Sequence, residues 1–269
     1  MFLKLDFTEN QIQRYARQIV LPEVGGLGQK KLLSAKVLVI GAGGLGAPLL
    51  IYLAAAGIGT LGVADNDVVE LSNLQRQIIH TTEAIGLPKV ESARKTVQSI
   101  NPDITFITHK ERIKKSNVES IISDYDLIAD GSDNFPTRFL INDACHFLHK
   151  TLVSAAILRF EGQISTFKQH ISPEYPCYRC LYKDPPPPGQ IPSCSEGGVL
   201  GSLAGTIGAL QATEVIKEIL GIGDSLAGLL LLYNALETEI RRIKFKRDPA
   251  CPLCGDKPTI SDFSQSPPI

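Results

Sequence analysis

Short apolar runs alternate along the chain with longer mixed segments, and that alternation predicts strands and helices in turn. The clearest unit is residues 37–46. Val37, Leu38, Val39 and Ile40 run into Gly-Ala-Gly-Gly-Leu-Gly, and an apolar, helix-compatible stretch follows over 47–56. This reads as strand, tight turn, helix. The spacing Gly41-x-Gly43-x-x-Gly46 permits a tight turn, lets a ligand approach the backbone, and lets helix and strand pack closely, while the free N–H groups of the helix start face a phosphate. A second strand over 61–64 ends at Asp65, roughly 20 residues past the glycines, where a carboxylate can accept bonds from ribose hydroxyls. The pattern points to a nucleotide, NAD or ATP alike, rather than to a plain turn in an α/β core.

The rest of the pattern extends this picture. Residues 9–20 read as a helix with Thr8 as N-cap and Ile12, Tyr15, Ile19 and Val20 apolar, and the helix carries Arg14 and Arg17. Gly25, Gly26 and Gly28 then break the chain. In the polar stretch 65–77, Leu71 and Leu74 are expected to anchor, leaving Asn73 and Arg76 free. Lys89 opens a helix over 88–100. A cation there opposes the helix macrodipole, which suggests an anion nearby. Beyond Asn101-Pro102 come a strand over 104–108, a helix over 118–122 and a strand over 125–129 that empties into Asp130-Gly131-Ser132-Asp133-Asn134. Ligands of open α/β sheets lie beyond the carboxyl ends of the strands, which puts Asp130 and Asp133 where a metal-bound phosphate would sit. Asn134 is available to cap a helix over 135–149. A strand follows over 151–156, and the alternating segment 162–169 looks antiparallel. Residues 170–196 are irregular. Their prolines at 185–188 cannot enter a helix or sheet interior and make a stiff, exposed, lid-like excursion. A Gly/Ala-rich helix over 201–220 and strands over 229–233 and 240–246 complete the order. The expected fold is α/β: a Rossmann-like mixed sheet, parallel in its first half with antiparallel strands added C-terminally, and helices on both faces. A single domain over 1–256 would comprise a helical arm (1–35), a nucleotide-binding half (36–169) and a C-terminal half (170–256), before a disordered tail (257–269).

Composition narrows the function classes. The chain has 269 residues, 43% of them apolar, and a net charge of −1, which gives no attraction to nucleic acid or to an anionic membrane. Residues 1–10 lack a basic region followed by an apolar run, so no secretory signal is expected. Residues 37–64 carry no charge and are long enough to span a bilayer, but seven glycines interrupt them and the fingerprint explains them better. The uncharged stretch 197–213 reads as a buried helix. A cytoplasmic protein is expected. In that compartment Cys177-Tyr-Arg-Cys180 and Cys251-Pro-Leu-Cys254 read as two thiolate pairs on one zinc ion. Four cysteines make a closed, structural site, clipping the C-terminal end onto the middle loop; thioredoxin-like redox chemistry is the alternative. Cys145, in an apolar helix, reads as packing, whereas Cys194 lies in a polar loop that suits a reactive thiol.

Taken together, Gly41-x-Gly43-Gly44-x-Gly46, Asp65, Ser72-Asn73-Leu74-Gln75-Arg76-Gln77, Pro88-Lys89, Ser132-Asp133-Asn134, the two C-x-x-C pairs and Arg14-Tyr15-x-Arg17-Gln18 resemble the MoeB/ThiF/HesA family over about residues 8–256. These are E1-like enzymes that adenylate ubiquitin-like sulfur carriers. The resemblance implies that a carrier's C-terminal Gly-Gly carboxylate attacks the α-phosphate of ATP, giving an acyl-adenylate and pyrophosphate. It implies that Gly41, Gly43, Gly44 and Gly46 cradle the nucleotide and Asp65 holds the ribose. Asn73, Arg76 and Lys89 would grip the phosphates and Asp133 would hold Mg²⁺. Arg17 would reach the triphosphate of a neighbouring subunit, which makes a homodimer. In ThiF-like members a cysteine placed like Cys194 bonds covalently to the carrier; in MoeB-like members it is not thought essential. Both readings stay open. Arg159-Phe160-Glu161-Gly162-Gln163 and Cys177-Tyr-Arg-Cys180 look closer to the MoeB branch. No rhodanese-like extension follows residue 256, so a separate sulfur donor is expected, in molybdopterin synthesis, thiazole synthesis or both. Two other classes remain as alternatives: an NAD-dependent oxidoreductase, which has no evident need for Asn73, Arg76, Lys89 and Asp133 together, and a non-catalytic binder of a ubiquitin-like partner.

Overall fold

The structure is a computed structural model that describes residues 7–187, 190 and 194–266, with the backbone alone at Cys194 and Ser195. In chain order the elements are α1 (Glu9–Ile19), α2 (Gly25–Ser34), β1 (Lys36–Ile40), α3 (Gly46–Ala56), β2 (Thr60–Ala64), α4 (Lys89–Ile100), β3 (Thr105–His109), α5 (Val118–Ile122), β4 (Leu127–Asp130), α6 (Phe135–Phe147), β5 (Thr151–Leu158), β6 (Glu161–Phe167), α7 (Tyr178–Leu181), α8 (Cys194–Gly197), α9 (Gly201–Leu220), β7 (Leu229–Asn234) and β8 (Glu239–Lys244). The strands form one sheet in the order β3-β2-β1-β4-β5-β6-β7-β8. The first five pair parallel, and β5 to β8 pair antiparallel.

Side chains alternate across this sheet into two cores. Val37, Val39, Leu61, Val63 and Leu127 pack on one face with residues of α3, α4 and α9. Leu38, Ile40, Ile128 and Leu152 pack on the other with α5 and α6. Burial on both faces is why β1 reads as an unbroken apolar run. Each such side chain contributes about 1.5–3 kcal/mol relative to exposure. Among the described residues no helix is long and apolar enough to cross a membrane.

Several local expectations are corrected. Gly25, Gly26 and Gly28 do not break the chain; they begin α2, and a Cβ at Gly28 would already stand 3.3 Å from Leu220 of α9. The Thr8 cap is present, as a capping box with Gln11. Of the apolar residues on α1, however, only Tyr15 is buried; Ile12 and Val20 are exposed. Tyr15 lodges against Gly57, and its hydroxyl accepts a 2.8 Å bond from Asn101. The tail expected to be disordered from 257 is placed through Ser266, because Ser266 is buried with its hydroxyl donating to Asp143 and Phe263 packs on the α6 side of the sheet. Pro188 of the proline run, residues 191–193 and the last three residues lie outside the described residues, so the lid-like segment falls partly there.

Asp143 is the hub of that C-terminal packing. Its carboxylate is fully buried and takes two hydrogen bonds from Arg179, at 2.7 and 2.6 Å, besides the one from Ser266. Asp143→Ala should therefore lower the free energy of urea unfolding by about 3–5 kcal/mol, since it strands a buried guanidinium, and the double variant Asp143→Ala/Arg179→Met should lose less. A single-variant loss below about 1 kcal/mol, the range of surface pairs, would contradict this account.

Candidate active site at the sheet switch point

β1 and β4 are neighbours, and the chain leaves β1 toward β2 on one side while β4 continues to β5 on the other. Such a reversal opens a crevice beyond the strand ends. The loops there nearly touch. Gly41 has φ +92°, and a Cβ on it would lie 3.2 Å from the Gly131 carbonyl; a Cβ on Gly46 would lie 1.9 Å from the Gly41 carbonyl oxygen. Only glycine closes this turn. Two side chains then hold it. Asp65, at the end of β2, accepts 2.8 Å bonds from the backbone N–H groups of Ala42 and Asp67. His80 is buried with Nε2 3.0 Å from the Ala42 carbonyl and Nδ1 2.9 Å from the Ser92 hydroxyl. A carbonyl only accepts, so Nε2 carries the proton and Nδ1 accepts from Ser92. Burial is the main cause that lowers the His80 pKa, with the nearby Lys89 charge adding to it.

The crevice has a free volume of about 330 Å³, and Gly41, Gly43, Gly44, Asp65, Arg76, Lys89 and Asp133 all line it. Arg76 lies over Gly44 and donates from Nη1 to the Ser72 carbonyl at 3.1 Å. Lys89 is 6% exposed, and its Nζ contacts Asp67 Oδ2 at 2.8 Å. The anion expected beside the α4 N-terminus is thus a side chain of the chain itself. Asp133 is exposed on the β4–α6 loop, and Asn134 caps α6 by accepting from the Thr137 N–H at 3.0 Å.

Other expected residues lie elsewhere. Gly46 is packed beneath the turn. Asn73 is buried and accepts from the Glu70 N–H, in a side pocket shared with Asp67 and Lys89; Leu71, expected to anchor this stretch, is 71% exposed. Polar capping, not leucine burial, fixes the segment. Asp130 does not face the cleft either: it is fully buried and accepts from the Ser132 N–H and the Ser154 hydroxyl, and burial raises its pKa. Arg17 is exposed on α1, which packs near Gly57 at the far end of α3, so it does not line its own chain's cleft. Cys194 begins α8, and its side chain is outside what the structure describes. Cys145 is buried, and burial pushes its thiol pKa up. Sequence reasoning passed over Asp67, Gln77, His80, Arg112 and Arg138. Gln77 closes the quoted polar motif, and Arg138 stands in an apolar helix four residues after Asn134; those were the available signals.

A second constellation lies apart from the cleft. The sulfurs of Cys177, Cys180, Cys251 and Cys254 all lie within 4.8 Å of one another, with individual separations of 3.4–3.9 Å. Thiolates about 2.3 Å from a tetrahedral ion would stand about 3.8 Å apart. No disulfide joins them. The Asp248 N–H points at the Cys180 sulfur at 3.4 Å. This set fits a metal ion and leaves no open ligand position.

Fold and cleft together define a nucleotide-binding α/β protein of the Rossmann type. Comparison with known proteins makes the class specific: residues 15–253 match the ThiF family, and the chain belongs to it. A sulfur carrier protein adenylyltransferase of Thermus thermophilus is 49% identical over 255 residues, covering 94% of each chain. The SAMP-activating enzyme E1 of Haloferax volcanii is 48% identical, covering 95% of this chain and 93% of its own. A probable adenylyltransferase/sulfurtransferase MoeZ of Mycobacterium tuberculosis is 49% identical over 96% of this chain but only 65% of its own length. Among solved structures, E. coli MccB crystallised with MccA-N7isoASN gives a TM-score of 0.80 at 22% identity, covering 92% of this chain and 76% of that one, a likeness of fold.

The His80 clamp predicts an acid limit. The folded state binds fewer protons at His80 than the unfolded state does, so stability is complete above the ordinary pKa of 6.5 and is lost as pH falls from there toward the folded value. Melting curves should show this decline below pH 6.5, and His80→Asn should remove at most one proton from its slope. An unchanged slope in that variant would contradict the assignment.

Proposed function

We propose that the protein adenylates the C-terminal Gly-Gly carboxylate of a ubiquitin-like sulfur carrier, using ATP with Mg²⁺, ahead of sulfur transfer. The observation that carries this is the gathering of the glycine loop, Arg76, Lys89 and Asp133 in one crevice at the switch point. The names of the relatives support the reaction, and the likeness of residues 159–163 and 177–180 to the MoeB branch favours molybdopterin synthesis, with thiazole synthesis the other route. A carboxylate oxygen attacks the α-phosphorus, a new O–P bond forms, and the bond to the β-phosphate bridging oxygen breaks with its electrons leaving on pyrophosphate. No net proton moves. Both reactants are anions, so positioning and charge neutralisation supply the catalysis. Asp65 uses its remaining lone pairs on the ribose. Lys89 exchanges Asp67 for a phosphate oxygen, Arg76 grips from above Gly44, and Asn73 orders the segment behind Lys89. Asp133 would hold Mg²⁺, which when bound neutralises phosphate charge. Arg17 serves the triphosphate of a second copy in a homodimer, and zinc occupies the four-cysteine site. Cys194 is either a covalent acceptor or a spectator.

ATP–pyrophosphate exchange is the test, with each Gly-Gly carrier encoded by the source genome and with each carrier lacking its last glycine. Exchange should appear with an intact carrier, vanish with the truncated one, and fall at least about a hundredfold in Asp133→Ala. Silence with every carrier would contradict the proposal. Elemental analysis should find one zinc per chain, and chelation should lower the melting temperature. Metal-free protein of unchanged stability would contradict the zinc assignment.

A further inference from the structure

Helix α1 is held to the body of the protein by one ring and a set of polar bonds. Tyr15 is its only buried residue. The ring sits over Gly57, where a Cβ would lie 2.6 Å from it, and Gly57 ends α3 with φ +85°. Asn101 Nδ2 donates to the Tyr15 hydroxyl and to the Ala54 carbonyl, both at 2.8 Å. Gln18 and Gln29 each donate from Nε2 to the Ala56 carbonyl at 3.0 Å, and Gln18 also donates to Gln29 Oε1 at 2.8 Å. Arg14 donates to the Ile100 carbonyl at 2.8 Å and stands 3.8 Å from Asp103. Ala54, Ala56 and Ile100 belong to the last turns of α3 and α4, whose final carbonyls have no acceptor role inside their own helix. The arm is thus clamped onto the C-terminal ends of two helices.

Arg17 takes no part in this clamp. It is exposed, and among the described residues it has no hydrogen bond or ion pair. Val20 and Leu21, about one turn further on, are 71% and 49% exposed. A free cation beside exposed apolar side chains is fitted to meet an anion on another molecule, whereas Arg14 is engaged within its own chain. The glycine loop of the same chain lies at the other end of α3, about 16 Å away along a helix of 11 residues. One helix therefore serves both purposes. Its N-terminal end closes the turn that lines the crevice, and its C-terminal end carries the arm that holds Arg17 outward.

We propose that Tyr15 is a positioning residue for catalysis in the second copy: its ring and its bond to Asn101 fix α1 on α3 and α4, and so set where Arg17 meets the other chain's triphosphate. The inference rests on the reading above that Arg17 serves the second copy, and it adds the residues that aim it.

The test is complementation in mixed dimers, isolated through a different affinity tag on each chain and assayed by carrier-dependent pyrophosphate exchange. Dimers made of Arg17→Ala alone, Tyr15→Leu alone or Asp133→Ala alone should all be slow; for Tyr15→Leu the loss should be about ten- to a hundredfold, the cost of a misplaced group. Pairing Arg17→Ala with Asp133→Ala should restore the rate of one working site per dimer. Pairing Tyr15→Leu with Asp133→Ala should restore it equally, because one chain then supplies an intact cleft and the other a correctly held arm. Pairing Tyr15→Leu with Arg17→Ala should stay slow, since each cleft faces a faulty arm. Tyr15→Phe keeps the wedge over Gly57 and loses only the Asn101 bond; it should slow exchange about three- to tenfold and leave affinity for AMP, which lacks the outer phosphates, within about twofold. That variant, alone and paired with Asp133→Ala, carries the test if Tyr15→Leu does not fold. Recovery with Arg17→Ala but none with either Tyr15 variant would overturn the inference and make Tyr15 a residue of its own chain's site. Wild-type exchange in both Tyr15 variants would overturn it as well. Failure of the Arg17→Ala pairing would overturn the reading of Arg17 itself, and the inference with it.

Discussion

The cleft exists because two backbone loops approach to van der Waals distance at the β1–β4 switch point. Gly41 turns with positive φ beneath the Gly131 carbonyl, and Gly46 lies where any Cβ would strike the Gly41 oxygen. The residues that line the crevice are arranged around that closure. Asp65 and His80 both bond to Ala42, from the ends of β2 and from the segment before α4. The loop is therefore held rigid before any nucleotide arrives, which is what a reaction limited by positioning requires. The cations, in contrast, are held by weaker or exchangeable partners: Lys89 by the exposed Asp67, and Arg76 by a single carbonyl.

Helix α6 ties this cleft to the four-cysteine site. Asn134 caps its start beside Asp133, Arg138 sits on its first turns, and Asn142 and Asp143 near its end bond to Tyr178 and Arg179 between Cys177 and Cys180. A metal ion that fixes the cysteine cluster thereby fixes the far end of the helix whose near end lines the cleft. The tail reaches the same hub through Ser266. The four-cysteine cluster and the crevice are thus joined by one helix, although they share no residue.

The centre of the sheet was legible because β1, β2 and β4 are apolar on both faces and punctuated by glycine. Residues 201–220 matched α9 to the residue, and the antiparallel turn of the sheet after β5 followed from alternation in 162–169. The glycine loop, Asp65, Arg76, Lys89 and Asp133 were singled out by their spacing, and the structure gathers them in one crevice. What stayed hidden depends on long-range packing. Asp130, the last residue of β4, is buried by bonds from Ser132 and Ser154, whereas Asp133 stands on the exposed loop beyond the strand end, and the sequence does not mark where the strand stops. That Leu71 is exposed and Asn73 buried reverses the hydrophobic rule, because a capping bond outweighs it locally. Gly25 to Gly28 looked like a break because nothing in the local sequence reveals that α9 packs close enough to favour small residues. His80 carries no motif at all; its role arises from which carbonyl the fold brings to it.

The most direct measurement of the central claim is the intact mass of a Gly-Gly carrier incubated with this protein, ATP and Mg²⁺ in the absence of any thiol or sulfur donor. The account predicts a carrier heavier by one adenylyl group, and none when its terminal carboxylate is amidated. A carrier of unchanged mass, with ATP nonetheless bound to the protein, would contradict it.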